Sequence, residues 1–176
     1  GWIITGSRHD AHGDDPWIRD LLTFIRSLAA AGARTVGVCF GHQAVAQALG
    51  GSVERAGEWK AGPHRLDVEA TEWFEGGTVY VNAMHRDVVT ALPPDAVRIG
   101  TGTTADQPMF LVGSTMLCLQ DHPEFTASYT QALVDAREVR LGTEVATSAT
   151  NAIASHPVDN DRIARWLAAF LTDRRI

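Results

Sequence analysis

Apolar residues follow two rhythms along this chain. Short, mostly apolar runs at residues 2–5, 35–38, 96–99, 109–112 and 116–119 read as buried strands. Between the first two, Trp17, Leu21, Phe24, Ile25 and Leu28 recur at helical spacing and predict a helix from 17 to about 31. Asp15 followed by Pro16 marks its start, a capping side chain before a proline at the first helical position, and Gly32 stops it. A second helix is expected from about 43 to 49, ended by Gly50 and Gly51. The middle of the chain reads as three short strands, at 53–55, 65–68 and 78–81. A helix follows from 125 to about 140, with Tyr129, Leu133 and Val134 on its apolar side. After a linker of small residues, Asp159 or Asn160 caps a last helix carrying Ile163, Trp166, Leu167, Phe170 and Leu171. Strand–helix alternation early and short strands later imply an α/β sheet with a small antiparallel addition. The 176 residues suit one domain, 1–176.

Composition narrows the function classes. Apolar residues make up 45% and charged residues 20%, the profile of a globular chain, and no run reaches the roughly 18 apolar residues of a membrane span. A net charge of −6 with no basic stripe argues against a nucleic-acid partner. No phosphate-binding glycine loop is present. The two cysteines, Cys39 and Cys118, make no disulfide framework, and the seven histidines are dispersed. We therefore expect a reducing, cytoplasmic setting, no metal and no cofactor.

The chemistry starts in Gly37–Gly51, "GVCFGHQAVAQALGG". Cys39 falls between a strand and a helix, the layout of a nucleophile elbow. Glycines at 37 and 41 suit a turn where chain segments nearly touch. The helix start directs free N–H groups and a positive dipole end at the thiol, favouring thiolate. As a core residue Cys39 would simply pack as a small hydrophobe; a partner decides between the two. "LQDHPEF", residues 119–125, supplies one. His122 follows a strand, and Glu124 lies two residues on, facing the same way in extended chain that Pro123 favours. The carboxylate can orient the histidine, and the histidine can take the thiol proton. Cys118 reads as a core residue.

The pair G-x-C-x-G-x-Q (Gly37 to Gln43) and H-P-E (His122 to Glu124) resembles the class I, or triad, glutamine amidotransferases, and within them the stand-alone GMP-synthase-like branch. "TGS", "DPWI", "FGHQ…AQALGG" and "HPEF" all recur there. The resemblance runs from Ile3 to about Phe125. It implies a flavodoxin-like, three-layer α/β/α fold with an open, mostly parallel sheet and the elbow at its carboxyl edge. It also implies a strand–helix–strand lead-in before Trp2, which the sequence as given is expected to lack, leaving 1–176 an N-terminally incomplete domain. Functionally it implies Cys39 as nucleophile, His122 as base and Glu124 as orienter, cleaving the γ-amide of glutamine through a γ-glutamyl thioester. The backbone N–H groups of Gly6 and Phe40 would hold the oxyanion. Gln43 would contact the small-molecule substrate, and Met84, His85, Arg86 and Asp87 would hold its α-amino and carboxylate ends. Arg86 and Asp87 also read as a plain surface pair. Trp59 and Lys60 fall in a loop bordering the pocket. A synthase partner would receive the ammonia. The alternatives are a stand-alone hydrolase of γ-glutamyl peptides or amines, and a non-catalytic binding or regulatory module of the same fold. No membrane partner is expected.

Overall fold

The computed structural model describes residues 1–175. Seven strands form one sheet in the order β1-β2-β7-β6-β5-β3-β4. At one end β1 (Trp2–Ile4), β2 (Thr35–Val38) and β7 (Met116–Leu119) run parallel. From β7 onward the pairings are antiparallel, through β6 (Met109–Val112), β5 (Ala96–Gly102), β3 (Ser52–Val68) and β4 (Gly77–Ala91). This is the expected α/β sheet, but it is not mostly parallel: two of its six pairings are parallel and four antiparallel, because the antiparallel part is no small addition but is built around one long hairpin.

Alternation along the strands feeds two cores, as a period of two requires. In β7, Leu117 and Leu119 join Val36 and Val38 of β2 beneath helix α5 (Asn160–Leu171), which contributes Ile163, Trp166 and Phe170. Met116 and Cys118 face the other way, under α1 (Pro16–Ala30) and α2 (Phe40–Ala48). Burying each such side chain contributes roughly 1.5–3 kcal/mol. Helices α3 (Ala127–Leu141) and α4 (Thr143–Ser155) pack instead on the β3–β4 hairpin, through Val134, Leu141, Ala146 and Ala149.

Several expectations change. The three short middle strands are parts of two long ones. Trp59 and Lys60 therefore lie in β3, and Met84 to Asp87 lie inside β4 rather than after a strand. The long strands form because each supplies the other's backbone partners, with a register irregularity between Arg55 and Lys60 absorbing the glycine-containing stretch. The small-residue linker is helix α4. Its small side chains let it lie close on β3, where a Cβ on Gly62 would come within 3.2 Å of three Ala149 atoms. Helix α2 begins at Phe40, three residues early, directly after Cys39. In α1 the buried residues are Ile18, Ile25 and Leu28, while Trp17 and Phe24 stay about two-fifths exposed. Neither Asp15 nor Asp159 caps with its side chain. The Asp159 carboxylate accepts from the Tyr80 N–H at 2.7 Å, tying α5 to β4.

Candidate active site

Cys39 sits where β2 turns into α2. Its backbone has φ 51° and ψ −103°. An L-residue held there costs about 1–3 kcal/mol and persists only where its surroundings enforce it. Enforcement comes from both sides. The Cys39 N–H donates to the Leu119 carbonyl at 2.9 Å, and the Cys39 carbonyl accepts from the Gln43 N–H at 3.0 Å. Two glycines make the turn sterically possible. A Cβ on Gly37 would lie 2.7 Å from the Gly41 carbonyl oxygen, and one on Gly41 would lie 2.0 Å from that of Ile4. Phe40 is the first helical residue, so its N–H has no intrahelical acceptor.

His122 arrives from the end of β7. Its N–H donates to the Asn82 carbonyl at 2.7 Å, pinning this segment to β4. Its ring stacks on Phe125 at 4.0 Å, and Nδ1 lies 2.7 Å from Glu124 Oε1. That carboxylate fixes the proton on Nδ1. Burial lowers the His122 pKa. Hydrogen bonds to Cys39 and Glu124, together with their charges, outweigh burial and raise it to about 10. His122 therefore favours its imidazolium form. Gly6 borders both groups: a Cβ there would lie 2.8 Å from His122 Cε1 and 3.8 Å from Cys39 Cβ.

A residue to which the sequence assigned no role completes the surroundings of the sulfur. Gln120 is fully buried. Its Nε2 lies 3.9 Å from Cys39 Sγ, and its Oε1 accepts from Gln43 Nε2 at 3.4 Å. Gln43 Nε2 also donates to the Asp87 carbonyl at 2.8 Å, which ties α2 to β4 beside the sulfur. The signal for Gln120 lay in its place two residues before His122, but its contact with Cys39 depends on strand pairing.

Cys39, Gln43, His122 and Glu124 open onto a cleft of about 420 Å³, lined also by Gly6, Phe40 and Met84 to Asp87. Asp87 pairs with Arg55 at 3.1 Å, and Arg86 donates to the Ala56 and Gly57 carbonyls, so Arg86 and Asp87 do not form the surface pair with each other. His85 is buried, its Nε2 3.2 Å from Asp121 Oδ1, while Asp121 Oδ2 accepts from Thr104 at 3.1 Å. Asp10, His12 and Asp87 bring ligand-type atoms within 4.8 Å of one another, and the Arg55 guanidinium already spans Asp10 and Asp87. His42 packs on Phe110; burial first, and the charge of His85 second, lower its pKa to about 3. Cys118 is fully buried and burial pushes its thiol pKa up, which suits a core residue.

Fold and site together define a flavodoxin-like α/β protein with a cysteine on a strained strand–helix turn facing a histidine–carboxylate pair. The family model for class-I glutamine amidotransferases matches residues 6–138. A glutamine amidotransferase-like protein of Schizosaccharomyces pombe is 30% identical over 97% of this chain and 71% of its own length. Gamma-glutamyl peptidase 2 of Arabidopsis thaliana is 28% identical over 99% of this chain and 74% of its own. A solved glutamine amidotransferase structure from Methylobacillus flagellatus superimposes with a TM-score of 0.77 at 21% identity, covering 97% of this chain and 76% of that one. The chain belongs to the class-I glutamine amidotransferase family. No described helix is long and apolar enough to cross a membrane.

Proposed function

We propose that residues 1–176 act as one domain that cleaves the γ-amide of glutamine with Cys39 as nucleophile. His122 takes the thiol proton, and the thiolate attacks the γ-carbonyl. The N–H groups of Gly6 and Phe40 hold the oxyanion. His122 then protonates the leaving nitrogen, which departs as ammonia and leaves a γ-glutamyl thioester. Water, deprotonated by His122, attacks the thioester to give glutamate and restore the thiol. Glu124 keeps the imidazole in its tautomer and offsets its charge. Gln120 donates to the sulfur and favours the thiolate, and Gln43 orients Gln120. Gln43 also contacts the substrate, whose α-amino and carboxylate ends lie along Met84, His85, Arg86 and Asp87. The single observation behind this reading is the positive-φ Cys39 turn beside the 2.7 Å His122–Glu124 contact.

Ammonia would pass to an acceptor held by a synthase partner in the cytoplasm. A second reading has a specific support: the similarity to gamma-glutamyl peptidase 2 spans nearly the whole chain. There the same thioester forms, and the leaving group is an amine or peptide instead of ammonia. Glutamate release from glutamine and from γ-glutamyl peptides tests both, with Cys39→Ala as the control. Turnover of glutamine supports the first reading, and peptide turnover with little on glutamine supports the second. Full activity in Cys39→Ala overturns both.

A further inference from the structure

The outer cleft carries an excess of positive charge in a chain whose net charge is −6. Five arginines line it: Arg8, Arg55, Arg86, Arg137 and Arg140. The three carboxylates that line it are already engaged. Asp10 and Asp87 meet Arg55, and Glu124 meets His122. Arg86 is spent on backbone carbonyls. Arg8 and Arg137 have no hydrogen-bond or ion-pair partner among the described residues. Arg140 lies over the Trp59 ring at 4.7 Å, which leaves its N–H edge free of any carboxylate. Arg137 and Arg140 are three residues apart on α3, so they share one face of that helix.

A γ-glutamyl head does not neutralise this surplus. It carries an α-ammonium and an α-carboxylate and is neutral as a whole. Ammonia adds no negative charge as a leaving group, and a polyamine adds positive charge. An amino acid or peptide released through its α-nitrogen brings its own carboxylate, which a guanidinium can bind through two hydrogen bonds. Trp59 beside Arg140 offers a flat apolar wall for that leaving group's side chain.

We propose that Arg8, Arg137 and Arg140, with Trp59, form a subsite for an anionic leaving group, so that the substrate is a γ-glutamyl amino acid or peptide with a free carboxylate. This rests on the γ-glutamyl hydrolase reading above and assigns its substrate class.

Calorimetric binding to the Cys39→Ala protein separates the two ideas, because it needs no turnover. The probes are γ-glutamylphenylalanine, its C-terminal amide and γ-glutamylphenethylamine. The acid is expected to bind about 10-fold tighter than either neutral probe, the size of one charge-assisted hydrogen-bonded pair. Arg8→Met with Arg137→Met should abolish that preference, while Arg165→Met on α5 should leave it intact. Equal binding of acid and amide, no binding of any probe, or a preference that survives the double substitution overturns the subsite. An acid preference in binding, with no glutamate released from any probe by the unsubstituted protein, upholds the subsite and overturns the hydrolase reading.

Discussion

The two ends of the sheet build different halves of the site by different means. At the parallel end, β1, β2 and β7 bring Gly6, Cys39, Gln120 and His122 together with strong local constraint. There, glycines have no room for a Cβ and the backbone is strained at one residue. At the hairpin end, β3 and β4 with α3 supply a longer, more exposed wall carrying Trp59, Arg86, Arg137 and Arg140. In the proposed reaction, bond-making would fall to the sterically constrained end and substrate discrimination to the end that carries the guanidiniums. That division is what a cysteine hydrolase needs, since a small misplacement costs more at the reacting atoms than at a charged rim.

Substitutions at the two ends should therefore differ in kind. Cys39→Ala should lower kcat by about 10⁴-fold or more, because no other group forms the acyl bond. Gly41→Ala should destabilise the fold by about 3 kcal/mol, read as a denaturation midpoint shift, because its Cβ would collide with the Ile4 carbonyl 2.0 Å away. Glu124→Gln should lower kcat by about 10²-fold and leave KM nearly unchanged, the lower range for assistance to a general base, since Glu124 is half exposed to water. At the hairpin end, Trp59→Ala should raise KM for γ-glutamylphenylalanine about 3-fold, the scale of one exposed cation–π contact, and leave kcat alone. If Trp59→Ala lowered kcat as much as Glu124→Gln does, the division between the two ends would fail.

The Glu124 substitution also carries a pH signature. The His122 pKa is raised in the folded state to about 10. The stability it contributes is fully present below the unfolded value of about 6.5 and is lost as pH rises through about 10. Glu124→Gln weakens the interactions that raise this pKa. The wild-type advantage in melting temperature over Glu124→Gln should be largest in mild acid and shrink as pH climbs past 9 or so. An advantage that grew with pH would contradict the imidazolium assignment.

The same two ends differ in how much of them the sequence reveals. The bounds of β2, β6 and β7 follow from short apolar runs bordered by turn residues, and β2 is fully buried. The turn at Cys39 was legible because Gly37 and Gly41 answer a local steric need. His122 and Glu124 were legible because two residues of extended chain face one way. The hairpin was not. Its stretch from Arg55 to His64 is polar and contains Gly57, Gly62 and Pro63, and it becomes strand only through pairing with β4. Helix α4 was hidden for a related reason: its Thr, Ser and Ala residues carry a weak apolar stripe, and packing on β3 holds it. The contact of Gln120 with Cys39 joins residues 81 positions apart, which no local pattern reports.

The reaction proposed for this cleft depends on acylation of Cys39 at the strained turn. Intact-mass analysis of Glu124→Gln protein, quenched in acid during turnover of γ-glutamylphenylalanine or glutamine, tests it most directly. One γ-glutamyl adduct is expected, mapped by peptide digestion to Cys39, discharged on return to neutral pH and missing from Cys39→Ala. Glutamate release without any Cys39 adduct, or an adduct that maps to Cys118 or another residue, would contradict it.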